Sequence, residues 1–504
     1  MDAKEQKNEF RGMNARERMA LEEKQKEKKT RVKYGIIAAI IVIFVAVVIV
    51  VNSSIFTNKL TALKVNDTAY TVADGNYAYQ DSYMTFSNQY SSLMSYILDP
   101  NKSLKEQECG WDENSVTWHD YFKNSAKENL RQTTAFYDAA VKAGYTVTDE
   151  DRAEVDETLS TLSTYATVYG YTLDGYLGVT YGNGNNEKTV RAQLEKSAVV
   201  QNYLADLFSS FTYTDADKEA YYKENYKDLT NVKFHYFYID GTADEENGIT
   251  AEDAMAAAKE QADAIKAAIK EDTVEAFDAA VLDVTGEEAS ESSYTVSSFL
   301  SAYEGSVTEN EIKAGSSFVH TGNAGAYVVC VTEIDENDYH TVSVRHILVK
   351  AVDEDGDGEY SDAEKKTAYD KLVAIRDEWL AGAADENSFA QLATLKSEDT
   401  GSQESGGLYE NICKGQMVPE FNDFCFAEHQ PGDYDIVMGD TTATAGENGY
   451  VGYHLIYFVG ADGELYSNTL AESNLRSKDY TDATTALLEG YTATETGMWR
   501  FVMK

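Results

Sequence analysis

Two strand-like runs, VKFHYFYID at 232–240 and VSVRHILVK at 342–350, each open the same series of elements. After the first come an Ala-rich helical pattern at 251–270, a short segment TVEAFDAAV and a closing strand, AYVVCVTEID, at 326–335. After the second come a helical pattern at 365–382, NSFAQLATLKS at 387–397 and a closing strand, GYHLIYFVG, at 452–460. Each copy must bury one face of its own strands against its own helices, so the repeat sets the architecture. Two tandem β-α-α-β units of about 110 residues are expected, at 231–340 and 341–463, in an α+β multidomain chain. The copies differ where chemistry would sit: the alignment sets His346 against Phe234 and His454 against Val328.

Residues 34–51, YGIIAAIIVIFVAVVIVV, carry no charge. At about 1.5 Å per residue they cover most of a hydrocarbon core about 30 Å thick. The 33 residues before them hold 11 Lys+Arg and 7 Asp+Glu, and the flank after them is almost uncharged. The basic side is the one that stays in the cytoplasm. The expectation is a cytoplasmic basic tail (1–33), a transmembrane anchor (34–51) and a single-pass protein of a bacterial-type plasma membrane with its bulk extracytoplasmic. A cleaved signal peptide is the competing reading; against it, the head is long and VNSSIF has no small-x-small site. No Cys closely follows the run to suggest a lipid anchor.

Asp and Glu number 86 against 43 Lys and Arg, a net charge of -43. A large phosphate-binding surface needs clustered basic residues, so nucleic acid is excluded as a partner. With 36 Tyr and only 3 Pro, the chain is too aromatic for an acidic disordered tail. The four cysteines form no C-x-x-C pair, and Cys413 with Cys425 is the nearest candidate for a disulfide.

From 52 to 230 the patterns are mostly helical after a strand-like opening, LKVNDTAYTV. Trp118, Phe122, Leu130, Tyr137 and Ala140 recur at helical spacing up to Gly144. Thr148 with Asp151 resembles a capping box for a helix carrying Val155, Leu159, Leu162, Ala166 and Tyr169. Two further helices are expected around 187–209 and 215–226.

In the second unit, HILV at 346–349, FAQLA at 389–393, KSEDTGSQESGG at 396–407, GQMVPEF at 415–421 and GYHLIY at 452–457 stand in one order and spacing. On these motifs residues 341–463 resemble the parvulin-type peptidyl-prolyl isomerases. The first unit, lacking both histidines and any GQM-like segment, reads as a degenerate copy. With an anchor in front and a helical module opening on VND, the chain resembles the membrane-attached or lipid-attached foldases of the PrsA, SurA and PpiD kind. That resemblance implies a SurA-N-like helical chaperone domain at 52–230, completed by 464–504 with a helix at 482–490. It also implies isomerisation of X-Pro bonds in unfolded or partly folded exported polypeptides, and holding of those clients.

Rotation about X-Pro must break amide conjugation, a barrier of about 20 kcal/mol, and needs neither a covalent nucleophile nor a cofactor. An apolar pocket that favours the twisted amide suffices. By resemblance, Met417, Val418 and Phe421 form the ring pocket, with Met417 and Phe421 on one helical face. His346 and His454 hydrogen-bond to each other at the floor, and Asp399 lies near the reacting carbonyl. Relatives often read GGDL where this chain reads Gly406, Gly407, Leu408, Tyr409. That altered mouth keeps open the alternative of a non-catalytic holdase with a vestigial isomerase domain.

Residues 353–364, DEDGDGEYSDAE, match the calcium-loop pattern at Asp353, Asp355, Asp357, Gly358 and Glu364, with Glu359 offering a carbonyl and Ser361 the ninth position. No helix precedes the loop, and Ser361 with Glu364 would equally cap the next helix. Calcium binding and a solvated acidic turn are both expectations of the sequence.

Overall fold

The computed structural model describes residues 24–503 apart from 25, 27, 29, 44, 46–53, 113, 245, 246, 357 and 442–448. The chain forms two compact bodies, one of residues 1–211 with 478–504 and one of residues 212–477.

In the first body β1 (Thr61–Val65) and β2 (Thr68–Thr71) form a hairpin whose turn holds Asn66 at φ 48. Asn and Gly accept that left-handed backbone most readily. The free edge of β1 pairs with the strand Ala493–Glu495, Leu63 facing Glu495, so the end of the chain completes a three-stranded sheet. Trp499 and Val502 then enter the same apolar core as Leu63, Val65, Phe122 and Leu130. Four helices carry most of this body: α1 (Val72–Gln89), α2 (Trp118–Lys142), α3 (Asp149–Val168) and α4 (Glu187–Ser210). Each starts on a capping box, Thr148 with Asp151 among them. Tyr169, expected on the buried face of α3, instead follows its end as the C-cap and is 68 % exposed.

Residues 30–43 are helical, with Ile36, Ile40, Ile41 and Ile43 exposed. The expected anchor at 34–51 lies partly outside the described residues. Among the described residues no helix is long and apolar enough to cross a membrane.

The second body contains two sheets of one design. β3 (Asn231–Asp240), β4 (Ser290–Thr295), β5 (Ser317–Thr321) and β6 (Gly325–Asp335) are ordered β4-β3-β6-β5. β7 (Val342–Lys350), β8 (Leu408–Ile412), β9 (Tyr434–Asp440) and β10 (Val451–Gly460) are ordered β8-β7-β10-β9. In the first repeat α5 (Ala251–Ala268) and α6 (Val274–Thr285) cover one face and α7 (Val296–Ala302) the other. The second repeats this with α8 (Asp362–Ala381) and α9 (Glu386–Lys396) on one face and α10 (Pro419–Phe426) on the other. β6, β7 and β10 are buried on both sides over most of their length, which explains their long apolar runs.

The register corrects the alignment of the repeats. His346 lies opposite Ile456 and His454 opposite Leu348; in the first sheet the same places belong to Tyr236 opposite Val329 and Tyr327 opposite Tyr238. The counterparts of the histidines are therefore Tyr236 and Tyr327 rather than Phe234 and Val328. A slip of one residue turns a side chain to the other face of the sheet, as Val328, packed under α5 and α6, demonstrates.

All four cysteines are free thiols. Cys425 belongs to the core beneath α10, where burial pushes its thiol up to about 12, while the Cys413 sulfur meets Gln416 Oε1 at 3.4 Å. The terminal helix runs Tyr466–Leu488, well beyond the 482–490 expected.

Candidate active site

On β7 the alternation that buries Val342 and Val344 beneath α10 puts His346 on the same face, and on β10 Ile456 and Phe458 bring His454 with them. The histidines occupy diagonal positions of an antiparallel pair, within reach of long side chains. Their Nδ1 atoms meet at 3.0 Å, and each residue is only 3 % exposed. The edge of the Phe421 ring closes on both imidazoles, with centroids 5.4 Å from His346 and 5.3 Å from His454.

The loop after α9 carries Asp399 to the other side of His346. Ser397 Oγ accepts the amide of Leu348 at 3.2 Å, and the amide of Glu398 donates to the Leu348 carbonyl at 2.9 Å, fastening the loop to β7. Asp399 Oδ2 then lies 2.9 Å from His346 Nε2 and accepts the hydroxyl protons of Ser402 at 2.5 Å and Tyr409 at 3.1 Å. The loop returns through Gly407 at φ +72, whose carbonyl accepts the His346 amide at 2.8 Å. A Cβ there would stand 2.2 Å from the His346 carbonyl oxygen, so this position requires glycine. At the far end Tyr450 reaches His454 Nε2 at 3.0 Å.

These contacts impose one proton arrangement when both rings are neutral. An ionised carboxylate only accepts, so His346 Nε2 carries a hydrogen and Nδ1 is left as acceptor. His454 must then donate from Nδ1 and accept the Tyr450 hydroxyl proton at Nε2. The chain runs in one direction, Tyr450 to His454 to His346 to Asp399. The hydrogen bond from His346 holds Asp399 well below the usual carboxylate range against the opposing effect of burial, and Ser402 and Tyr409 add to it. Burial, reinforced by His346 alongside, pushes His454 down to about 3. Tyr409 is pushed up to about 12 by burial and by the Asp399 charge.

Met417 and Val418 pack on the cluster that contains Phe421. Val418 is the N-cap of α10, so Met417 precedes the helix instead of sharing its face with Phe421 as expected. Val418 also lies beside Gly439 on β9, where an added Cβ would be 2.8 Å from His454 Nε2 and 3.4 Å from Val418 Cγ2. The six expected residues thus surround one point, but Asp399 is turned inward to His346. Sequence reasoning missed Ser402, Tyr450, Gly439 and the hydroxyl of Tyr409. Ser402, three residues after Asp399 in a Gly-rich turn, had a readable local signal; Tyr450 had none.

In the acidic loop the carboxylates of Asp353, Asp355 and Glu364 come within 4.8 Å of one another. Asp357 lies outside the described residues, and Glu359 is exposed. Asp353 accepts the amides of Gly356 and Gly358, while Glu364 accepts those of Glu354 and Ser361 and forms a capping box with Ser361 at the start of α8.

Residues 327–443 match the family model of the PPIC-type peptidyl-prolyl isomerase domain, so this part of the chain is a parvulin-type domain. The match includes His346, Asp399, Met417, Val418 and Phe421 and ends before His454. Among solved structures the chain is similar to the foldase protein PrsA from Streptococcus pneumoniae, at 12% identity and a TM-score of 0.29 over 79% of this chain and 98% of that one. It is also similar to the peptidylprolyl isomerase PrsA from Bacillus cereus, at 17% identity and a TM-score of 0.18 over 80% of this chain and 98% of that one. A structure described among SurA-like chaperones of Campylobacter jejuni shares 13% identity, with a TM-score of 0.12 over 80% of this chain and 89% of that one. No curated protein matches the chain.

Proposed function

We propose that this chain is an extracytoplasmic, membrane-anchored foldase that isomerises X-Pro bonds in exported polypeptides through its second repeat and holds unfolded clients through its helical body. The observation that carries the reading is the directed chain Tyr450–His454–His346–Asp399 lying against Phe421. Met417 and Val418, partly exposed and backed by the buried Phe421, supply the apolar surface on which a proline ring is desolvated. The mutually bonded histidines keep the floor of the pocket rigid. Binding energy is then directed to the twisted amide, whose charge separation is smaller. Exposed Trp111, Tyr96, Tyr165 and Tyr169 in the helical body suit loose contact with unfolded chains. The uncharged run at 34–51 and the acidity beyond it support the anchor and the extracytoplasmic placement.

The test is isomerisation kinetics of the full chain on a panel of X-Pro peptides, alongside suppression of aggregation of an unfolded client. Acceleration is expected, and it should vanish with substitutions in the second repeat alone, because Tyr236 and Tyr327 of the first cannot form the histidine chain. Suppression of aggregation without acceleration would return the vestigial-domain holdase.

We also propose that Asp353, Asp355, Asp357 and Glu364 hold calcium weakly, with Glu359 and Ser361 completing the loop, at a Kd of about 10⁻⁴ to 10⁻³ M as for extracellular modules. Three carboxylates already converge at the start of α8, and an ion there would relieve their repulsion. Millimolar calcium is expected to raise the melting temperature of the second repeat where magnesium does not, and Glu364→Gln to abolish the difference. Equal melting in both ions leaves the capped acidic turn.

A further inference from the structure

Tyr409 projects from the edge strand β8, opposite Val344, into the space beside Asp399. Its hydroxyl is one of three donors on Asp399 Oδ2, with His346 Nε2–H at 2.9 Å and Ser402 Oγ–H at 2.5 Å, while the Gly401 amide reaches Oδ1 at 3.3 Å. Ser402 and Gly401 belong to the same turn as Asp399 and travel with it. Among these contacts, only Tyr409 and His346 tie the carboxylate to strands of the sheet. The phenol ring, 5.3 Å from the His346 ring, packs on the cluster that includes Phe421, Met417 and Val418.

We propose that Tyr409 is a positioning residue of the isomerase site: its hydroxyl holds the Asp399 side chain in the rotamer that fixes the His346 tautomer, and its ring completes the apolar wall. This rests on the function proposed above. A carboxylate gripped from two strands cannot turn outward to solvent, so His346 keeps its hydrogen on Nε2 and its acceptor on Nδ1. The histidine chain then points one way throughout turnover. Without the hydroxyl, the carboxylate keeps Ser402, Gly401 and His346 as donors but loses its tie to β8, and its rotamer is held less tightly. Hydroxyl and ring therefore affect different quantities, the first turnover and the second affinity.

The experiment uses the full chain with Tyr409→Phe and Tyr409→Leu. Tyr409→Phe keeps the wall and is expected to lower kcat about five-fold, the worth of one ordinary hydrogen bond, with KM within about two-fold. It should also move the downfield proton resonance of the His346 ring N–H upfield, because a carboxylate that leaves this rotamer part of the time accepts from Nε2–H less strongly. Tyr409→Leu should add a rise in KM. In an active chain, either kcat or the resonance staying at its wild-type value in Tyr409→Phe overturns the positioning role. If the wild-type chain gives no acceleration, the proposed function fails, and the resonance alone decides the role of Tyr409, a moved signal supporting it and an unmoved one overturning it.

Discussion

Met417→Ala combined with Phe421→Ala is expected to lower kcat/KM for X-Pro peptides by about 100-fold or more, since roughly 3 kcal/mol of apolar contact is removed from the pocket. The two residues contribute differently. Phe421 is 2 % exposed and braces both imidazoles, so its loss opens a cavity beneath the histidine pair as well as removing wall. Phe→Ala in such a core costs about 3–5 kcal/mol of stability, which makes Phe421→Leu the necessary companion. Met417, only partly buried and outside α10, should act mainly through KM when changed alone. A double variant that stays folded by circular dichroism and keeps wild-type kcat/KM would remove the site from this pocket.

The elements visible in the sequence are those whose stability is local. Capping boxes at Thr148 and Ser361, the apolar strands of both repeats and helices α5, α8 and α9 follow from side chains within a few residues of one another. The edge strands β4, β8 and β9 carry mixed, half-exposed residues and owe their form to the central strand beside them. The strand Ala493–Glu495 is set by pairing with residues more than 400 positions away, which no window can contain. The same division runs through the site. His346 and His454 were legible as polar interruptions of apolar strands in a motif-bearing unit, and Phe421 as part of GQMVPEF. Tyr450 and the hydroxyl of Tyr409 were not, because their function depends on where loops return across the sheet. The misplacement of Val328 has a similar cause: apolar strands align at several offsets, and the pleat rules out the wrong-face one only once partners are paired.

The His454 ring should make the second repeat lose stability in mild acid. Its folded value lies at about 3, pushed down by burial and then by His346, whereas an unfolded histidine titrates at about 6.5. Above about pH 6.5 the ring is neutral in both states and its contribution is complete. Between about 6.5 and 3 the unfolded chain binds a proton that the native fold refuses, so stability falls by up to about 1.4 kcal/mol per pH unit. Asp399, held low chiefly by the hydrogen bond from His346, acts in a separate window. Its contribution is whole above the unfolded value of about 3.9 and is lost as the pH drops through its depressed folded value. From pH 6 to 4.5, therefore, His454 titrates and Asp399 does not. The decisive variant is His454→Asn, which keeps a short donor toward His346 Nδ1 but cannot take up a proton. It should be less stable than wild type at pH 7, having lost ring volume and the Tyr450 contact, yet its stability should fall less steeply on acidification, by close to one proton's worth of slope. Other depressed histidines, such as His119 in the helical body, are common to both proteins and cancel in the comparison. Urea unfolding at a series of pH values, followed by amide exchange in β7 and β10, reads the two slopes, and parallel lines would show that His454 is not kept neutral by the fold.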